Sequence, residues 1–301
     1  MDENKKEKKV KKRTPARLRL ALLIAVVVID ALLIAETVYS NTHISVDSYE
    51  YESEKVPQSF DGFRIVHISD YHRHGDGFEQ KLVELVSQQQ PDIIVLTGDM
   101  VDSQLTDIDD TMMFFEDISK VAPCYLVWGN HDMRLTKKQR EKLTTCCEEN
   151  GIEIVEDKAV DIERGGERIT VAGSYGYIVP MRELSQKLEE SPFVIWLNHF
   201  PEDAERILGY KAAYVDESGE LINEPYADLM FCGHAHGGLI RFPFKDGIYA
   251  PGQGLFPKYT GGEYYFYRGE MIVSRGMGNS GTSLRLFDDF DLVVCTLKSK
   301  E

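Results

Sequence analysis

The sequence predicts an α/β domain of two packed sheets with helices outside, preceded by one apolar helix of membrane length. Three observations carry that expectation. Between residues 63 and 150, short apolar runs alternate with patterns of helical length, as buried strands joined by crossover helices do. Beyond Gly151 most runs are β-rich and numerous enough for a second sheet. Near the start, an almost unbroken apolar stretch follows a lysine-rich segment.

Residues 1–17 read as a basic cytoplasmic tail and 18–35 (LRLALLIAVVVIDALLIA) as a transmembrane anchor. The stretch is apolar except for Arg19 and Asp30, just under the roughly 18–20 residues that a bilayer span needs. A single aspartate is costly there only where it faces lipid. The polybasic flank and the lack of polar periodicity separate this segment from a core helix. A cleaved signal peptide is the rival reading, with Val38-Tyr39-Ser40 a poor cleavage site. An uncleaved, single-pass anchor in the cell membrane is expected, with the lysine-rich end in the cytoplasm and the catalytic domain extracytoplasmic. Residues 36–57 are polar and Ser/Glu-rich and read as a linker; 58–299 form the domain. Its strands are expected at 63–69 (FRIVHIS), 91–97 (PDIIVLT), 124–128 (CYLVW), 152–155, 159–163, 167–172, 193–197 (FVIWL), 264–267, 271–274 and 292–297. Helices are expected near 77–90, 107–120, 136–150 and 181–190. No internal repeat is evident.

Charge narrows the partners. Net charge is −16, but residues 1–19 hold nine Lys/Arg against three Asp/Glu, so the remainder carries −22. Such a body repels phosphate backbones, and nucleic acid is not an expected partner. An anionic substrate would need local positive charge, and bound metal ions are one source. The five cysteines (Cys124, Cys146, Cys147, Cys232 and Cys295) have neither disulfide-framework nor zinc-finger spacing. Cys124 and Cys232 read as buried small hydrophobes; the adjacent Cys146-Cys147 pair is a weak redox hint.

Five polar clusters sit at the ends of expected strands: Asp70-Tyr71-His72, Gly98-Asp99, Gly129-Asn130-His131-Asp132, Asn198-His199 and Gly233-His234-Ala235-His236-Gly237. In open α/β sheets ligands gather beyond the carboxyl ends of strands, so the five can converge. Five of the eight histidines fall in them. Imidazole and carboxylate together suit ions such as manganese, iron, zinc or cobalt. Asp70, His72, Asp99, Asn130, His199, His234 and His236 are seven candidate ligands. One mononuclear site needs about three or four protein ligands, so seven are enough for two ions if one carboxylate bridges them. Two ions can hold a hydroxide between them and clamp an in-line displacement at phosphorus. Gly98, Gly129 and Gly233 open their clusters, where the backbone must turn and approach closely. Taken singly, each cluster is weak: Asp-x-His arises by chance, Gly-Asp is a common turn, and a lone His199 would more often be a satisfied core histidine.

In this order, Asp-x-His, Gly-Asp, Gly-Asn-His-Asp, His and Gly-His-x-His, the series resembles the calcineurin-like metallophosphoesterase superfamily, from Asp70 to His236. Gly-His-x-His-Gly-Gly, followed by Arg241-Phe242-Pro243 and Ser274-Arg275-Gly276, is similar to a membrane-associated bacterial branch close to the UDP-2,3-diacylglucosamine pyrophosphatases. The resemblance implies a four-layer αββα sandwich. It implies one metal on Asp70, His72, Asp99 and His236, a second on Asp99, Asn130, His199 and His234, and Asp99 as the bridge. By the same resemblance His131 is a catalytic proton donor or charge stabiliser beside the scissile phosphate rather than a ligand. Imidazole is chemically suited to that task, and Asp132 or another carboxylate would orient it. Arg73, His74 and Arg241 are candidate substrate contacts, because a guanidinium can grip phosphate bidentately; a surface arginine paired with an acid is the competing reading, for Arg275 too.

Two segments depart from the branch. Residues 210–226 (YKAAYVDESGELINEPY) read as an inserted hairpin or loop beside the site. Residues 249–267, rich in Gly, Pro and aromatics, are expected mostly to pack on the sheet, the alternative being a rim for a lipid or sugar. The leading expectation is a metal-dependent hydrolase of a phosphomonoester, phosphodiester or pyrophosphate, acting through a metal-bridging hydroxide on a substrate that the tether would keep near lipid-linked molecules. The alternative is a non-catalytic metal-binding sensor or scaffold, whose signature would be a missing ligand or a missing His131. A nuclease is disfavoured by the acidic body, and a protein phosphatase lacks specific support.

Overall fold

The computed structural model describes residues 15–72, 77–104, 108–176, 182–209, 213–215, 221–223, 227–242, 246–279 and 285–300. In chain order come α1 (Ala16–Ser40), β1 (Ile44–Ser53), β2 (Arg64–Ile68), α2 (Phe78–Gln88), β3 (Ile93–Leu96), α3 (Asp109–Ile118), β4 (Cys124–Leu126), α4 (Asn130–Arg134), α5 (Lys137–Glu149) and β5 (Glu153–Ile154). The second half holds β6 (Lys158–Arg164), β7 (Glu167–Ser174), α6 (Arg182–Glu189), β8 (Val194–Asn198), α7 (Ala204–Ile207), β9 (Ala213–Val215), β10 (Leu221–Asn223) and β11 (Leu229–Cys232). The chain closes with β12 (Tyr249–Ala250), β13 (Gly254–Leu255), β14 (Gly262–Tyr265), β15 (Glu270–Val273) and β16 (Phe290–Ser299).

Two six-stranded sheets result, ordered β1-β16-β2-β3-β4-β5 and β14-β15-β11-β8-β7-β6. Strands β2 to β5 run parallel, as do β7, β8, β11 and β15. Side-chain alternation sets the layers. In β2, Val66 and Ile68 join Leu82 and Val86 of α2, Phe114, Phe115 and Ile118 of α3, and Leu143 of α5. Ile65 points the other way, into a core shared with Val171, Ile195, Leu197, Phe231 and Ile272 of the second sheet. On that sheet's far face, Trp196, Met230 and Val273 meet Leu188 of α6 and Ile207 of α7. The order helix, sheet, sheet, helix is the expected four-layer architecture.

Local signals explain the helix starts. Thr136 caps α5, accepting from the Gln139 N–H while Gln139 Oε1 accepts from the Thr136 N–H, a reciprocal capping box. All five cysteines are buried and free. Cys146 and Cys147 lie among the α5 core residues, and burial pushes both thiols up, away from the reactive thiolate that the redox hint would need.

The expected linker 36–57 is corrected. Helix α1 runs on to Ser40, and residues 44–53 form a ten-residue edge strand parallel to β16, from Ile44 opposite Phe290 to Ser53 opposite Ser299. Its sequence, ISVDSYEYES, is polar because an edge strand wets one side, while Ile44 and Tyr51 are buried. Arg275 fastens this edge: its Nη2 donates to Ser45 Oγ at 2.7 Å and Asp47 Oδ2 at 3.0 Å, and its Nε lies 3.5 Å from Asp291 Oδ2. The paired-arginine reading therefore holds for Arg275. Within 210–226, β9 and β10 pair antiparallel, as a hairpin would; the rest lies outside the described residues. In 249–267, Tyr259, Tyr264 and Phe266 pack on the second sheet, whereas Leu255, Phe256, Tyr265 and Tyr267 are exposed. Helix α1 is long and apolar enough to cross a membrane, and its apolar stretch is not buried in the fold.

Candidate metal centre

The ligand-bearing loops leave β2, β3 and β4 in one sheet and β8 and β11 in the other, all at carboxyl ends. Backbone bonds lock them together: Asp70 N–H donates to Gly98 O at 3.0 Å, His72 N–H to Asp99 O at 3.2 Å, and Gly233 N–H to His199 O at 3.2 Å. Asp70, His72, Asp99, His234 and His236 all have positive φ, between 45° and 67°. Left-handed backbone is uncommon outside glycine and clusters where function over-determines it. Gly98, at φ 86°, could not carry a side chain, because its Cβ would strike the Gly129 backbone.

The side chains meet in two groups of three, Asp70-His72-His236 and Asp99-His199-His234, each with donor atoms within 4.8 Å. Asp70 Oδ1 lies 3.4 Å from His236 Nε2 and 3.9 Å from His72 Nε2. His234 Nδ1 is 3.1 Å and Asn130 Oδ1 3.2 Å from His199 Nε2. Asp99 Oδ2 falls between the groups, 3.3 Å from His199 Nε2 and 3.7 Å from His72 Nε2. Its Oδ1 accepts the His131 N–H at 2.7 Å, and Asp70 Oδ2 accepts the His234 N–H at 2.9 Å. Each carboxylate thus has one oxygen fixed by backbone and one aimed at imidazoles.

These residues fit divalent ions. Ligands about 2.1 Å from a shared ion stand roughly 3.0–3.4 Å apart, near the separations seen. Asp70 Oδ1 is buried with no hydrogen-bond partner, a vacancy in satisfaction that a cation would fill. His199 Nδ1–H donates to Thr97 O at 2.8 Å, which leaves Nε2 as the nitrogen that would bind an ion once its proton is displaced, the support usual for metal-binding imidazoles. A third group, His72-Asp99-His131, also has close donors. The Ser103 N–H, which can only donate, points at His131 Nδ1 at 3.2 Å. In the neutral ring that puts the proton on Nε2, a tautomer with no lone pair left for an ion.

Electrostatics follow the same division. Burial lowers the pKa of His72 to about 3 and of His234 and His236 to about 4, keeping all three neutral. Burial also works to lower His199, but Asp99 overrides it and raises its pKa to about 10. Burial works to raise Asp70 and Asp99, yet the imidazoles beside them, His236 first for Asp70 and His199 first for Asp99, hold both carboxyls below their usual range. In the metal-free protein, then, a proton on His199 balances the acids. The sign is that of a raised base: this charge stabilises the metal-free fold below the ordinary imidazole value of about 6.5. That contribution is lost as pH climbs through about 10. Metal must displace the same proton, so loading near pH 8 should release about one proton per site pair. Calorimetry in buffers of contrasting ionisation enthalpy measures this, and zero release would mean a neutral His199.

The remaining expectations divide. Asp132 is not the residue placed at His131 Nδ1: its two oxygens accept the Gly129 and Val101 N–H groups at 2.8 and 3.1 Å, capping α4. The carboxylate at His131 Nδ1 is Asp102, at 3.4 Å, beside Ser103. A short helix starting at Asn130 needs its own cap, and Asp132, two residues on, is in position for it. Arg241 donates to Gly237 O at 3.1 Å and Thr260 Oγ1 at 3.4 Å, as a structural arginine does. Arg73 and His74 lie outside the described residues. A cleft of about 420 Å³ opens over the centre, lined by Asp99, Asn130, His131, Arg134, Phe200 and His234 among others. A larger cleft of about 750 Å³, beside Trp128 and Tyr175, touches none of the seven ligand candidates, so its size is no guide to the chemistry. Sequence reasoning missed Arg134, although it follows Asn130 by one helical turn. It also missed Arg285, which is buried behind His236, with Nη2 2.8 Å from Arg275 O and Gly278 O and 3.4 Å from His236 Nδ1. No local motif marks that arginine.

A family model described as calcineurin-like phosphoesterase matches residues 63–238. Among similar proteins is an uncharacterized metallophosphoesterase of Aquifex aeolicus, 26% identical over 85% of this chain and 93% of its own length. A phosphodiesterase of Escherichia coli, YaeI, is 24% identical over 72% of this chain and 76% of its own. A transmembrane protein with metallophosphoesterase domain from Danio rerio is 26% identical over 75% of this chain and 54% of its own.

Proposed function

Because this chain belongs to the calcineurin-like phosphoesterase family, we propose that it hydrolyses phosphate esters with two divalent ions while anchored to the membrane by α1. The observation that carries the binuclear reading is the position of Asp99 Oδ2 between His72 and His199, with Oδ1 held by the His131 N–H. Asp70, His72 and His236 would hold one ion; Asn130, His199 and His234 the other; Asp99 would join them. Manganese, iron and zinc suit this nitrogen and oxygen set. When bound, such ions polarise phosphoryl oxygens and lower the pKa of water.

The protein's own groups supply the rest. His131 lines the cleft, where an Nε2–H can donate a hydrogen bond to the leaving oxygen and stabilise the charge developing on it. Ser103 orients the ring from behind through its N–H. Arg134, on the exposed side of α4, can grip a phosphate oxygen at the cleft wall; Arg73 and His74, next after His72, are candidates for the same task. The scaffold alternative has no support from a missing group, since every ligand and His131 are present. The full chain in detergent, stripped by chelator and reloaded with manganese, iron or zinc, should hydrolyse p-nitrophenyl or bis-p-nitrophenyl phosphate only when reloaded. Equal inactivity of the reloaded and stripped proteins toward both esters would favour the scaffold.

For location, the lysine-rich end and α1 support a single-pass anchor with the domain outside the cytoplasm, and one relative is itself described as a transmembrane protein. Protease added to intact cells should then remove the domain; protection until lysis would reverse the orientation.

A further inference from the structure

The cleft wall continues into an apolar platform that none of the described residues covers. Backbone hydrogen bonds run across it. Arg241 N–H donates to Leu286 O and Leu286 N–H to Leu239 O, Ile248 N–H donates to Ile240 O at 3.0 Å, and Phe256 N–H to Ile248 O at 2.7 Å. From this ladder Phe242, Tyr249, Leu255, Phe256 and Phe287 stand in water, with Phe256 74% and Leu255 69% exposed. Phe256 and Phe287 also have φ of 55° and 56°. A bulky residue in left-handed backbone is a true outlier, and both of these phenylalanines are exposed. Strain and exposed apolar surface together mark a surface meant for an apolar environment.

The platform's position says which environment. Only three residues separate α1 from β1, and that short exit is tied to the platform edge. Asp288 N–H donates to Ser40 Oγ at 3.3 Å, Asn41 Nδ2 to Arg285 O at 3.3 Å, and Asn279 Nδ2 to Asn41 Oδ1 at 2.8 Å. The apolar face is therefore continuous with the end of the helix that would span the bilayer. At its other side, the turn between β12 and β13 supplies Pro251 and Gly252 to the cleft lining, and a Cβ on Gly252 would stand 3.5 Å from His234 Nε2.

We propose that this platform, carrying Leu255, Phe256 and Phe287, is seated in the lipid surface, so that the cleft opens at the headgroup layer and takes phosphate esters borne there. The inference rests on reading α1 as a membrane span. Contact is apolar rather than electrostatic, because the body is acidic and would gain nothing from anionic headgroups. Aromatic residues at the level where a helix leaves the bilayer fit the interface well.

The buried state of all five cysteines allows site-specific labelling of the full chain. Fluorophores are placed by Phe256→Cys, by Val27→Cys within α1, and by Glu163→Cys at the exposed turn on the opposite ends of the strands. In phosphatidylcholine vesicles containing spin-labelled lipid, quenching at 27 and at 256 is expected, with at least half the effect at 256, none at 163, and no change in high salt. Quenching at 27 with none at 256 overturns the proposal and leaves the anchor standing. A probe at 256 shielded from water but unquenched points to a protein partner and overturns it too. Absence of quenching at 27 would sink the anchor itself.

Discussion

Asp99→Asn is expected to lower hydrolysis of bis-p-nitrophenyl phosphate by about 10³-fold, since losing one Lewis-acid contribution of about 4 kcal/mol costs roughly that much in rate. The substitution is chosen for what it preserves. Asparagine keeps an oxygen to accept the His131 N–H, now 2.7 Å from Asp99 Oδ1, so the Gly98–Gly129 approach and α4 need not move. What disappears is the anionic oxygen that faces both His199, at 3.3 Å, and His72, at 3.7 Å. Without that charge the two imidazole groups have no shared acceptor, and His199 loses the influence that holds its pKa high. Metal analysis of the purified variant should therefore show a clear deficit beside the wild type, with unchanged circular dichroism. A variant that keeps a full metal complement and near-normal turnover would end the bridging assignment. A deficit with lost secondary structure would instead mean that Asp99 matters to folding.

Much of this site is legible in the sequence because its physics is local. A ligand at a strand end needs an apolar run before it and a tight turn after it, and both are written in adjacent residues, as in PDIIVLT-Gly98-Asp99. Separate loops can then be assembled by one rule, that sites collect at carboxyl ends of parallel strands. Contacts set by three-dimensional packing are not written that way. Strand β1 reads as a linker because an edge strand with one wet face resembles a polar tether, and its identity comes from β16, more than two hundred residues away. Asp132 looks like the natural partner of His131 by adjacency, yet consecutive helix residues point to different sides, which frees Asp132 to cap and leaves Asp102 to face the ring. Arg285 owes its place behind His236 to the fold of the last segment alone. Aromatics in 249–267 divide into those packed on the second sheet and those left exposed, a division that composition does not carry.

His131→Asn should cost between about 10² and 10³ in rate, the range for removing a positioned hydrogen-bond donor to developing charge, while leaving metal content at the wild-type level. The two halves of that statement separate the histidine from its neighbours. Backbone, not side chain, connects residue 131 to Asp99 Oδ1, so the substitution leaves the carboxylate fixed. The imidazole instead receives the Ser103 N–H on Nδ1, which keeps a proton on the nitrogen turned away from that loop. A group that hydrogen-bonds the departing oxygen is needed most when that oxygen is a poor leaving group. The loss should accordingly be smaller on p-nitrophenyl esters, whose anion leaves readily, and larger on alkyl phosphates. Measuring the variant on a leaving-group series gives the slope directly, steeper for His131→Asn than for the wild type. Parallel slopes with an equal loss throughout would assign the ring to holding charge on the phosphoryl group. Loss of metal along with rate would make His131 a ligand after all, through the group it forms with His72 and Asp99.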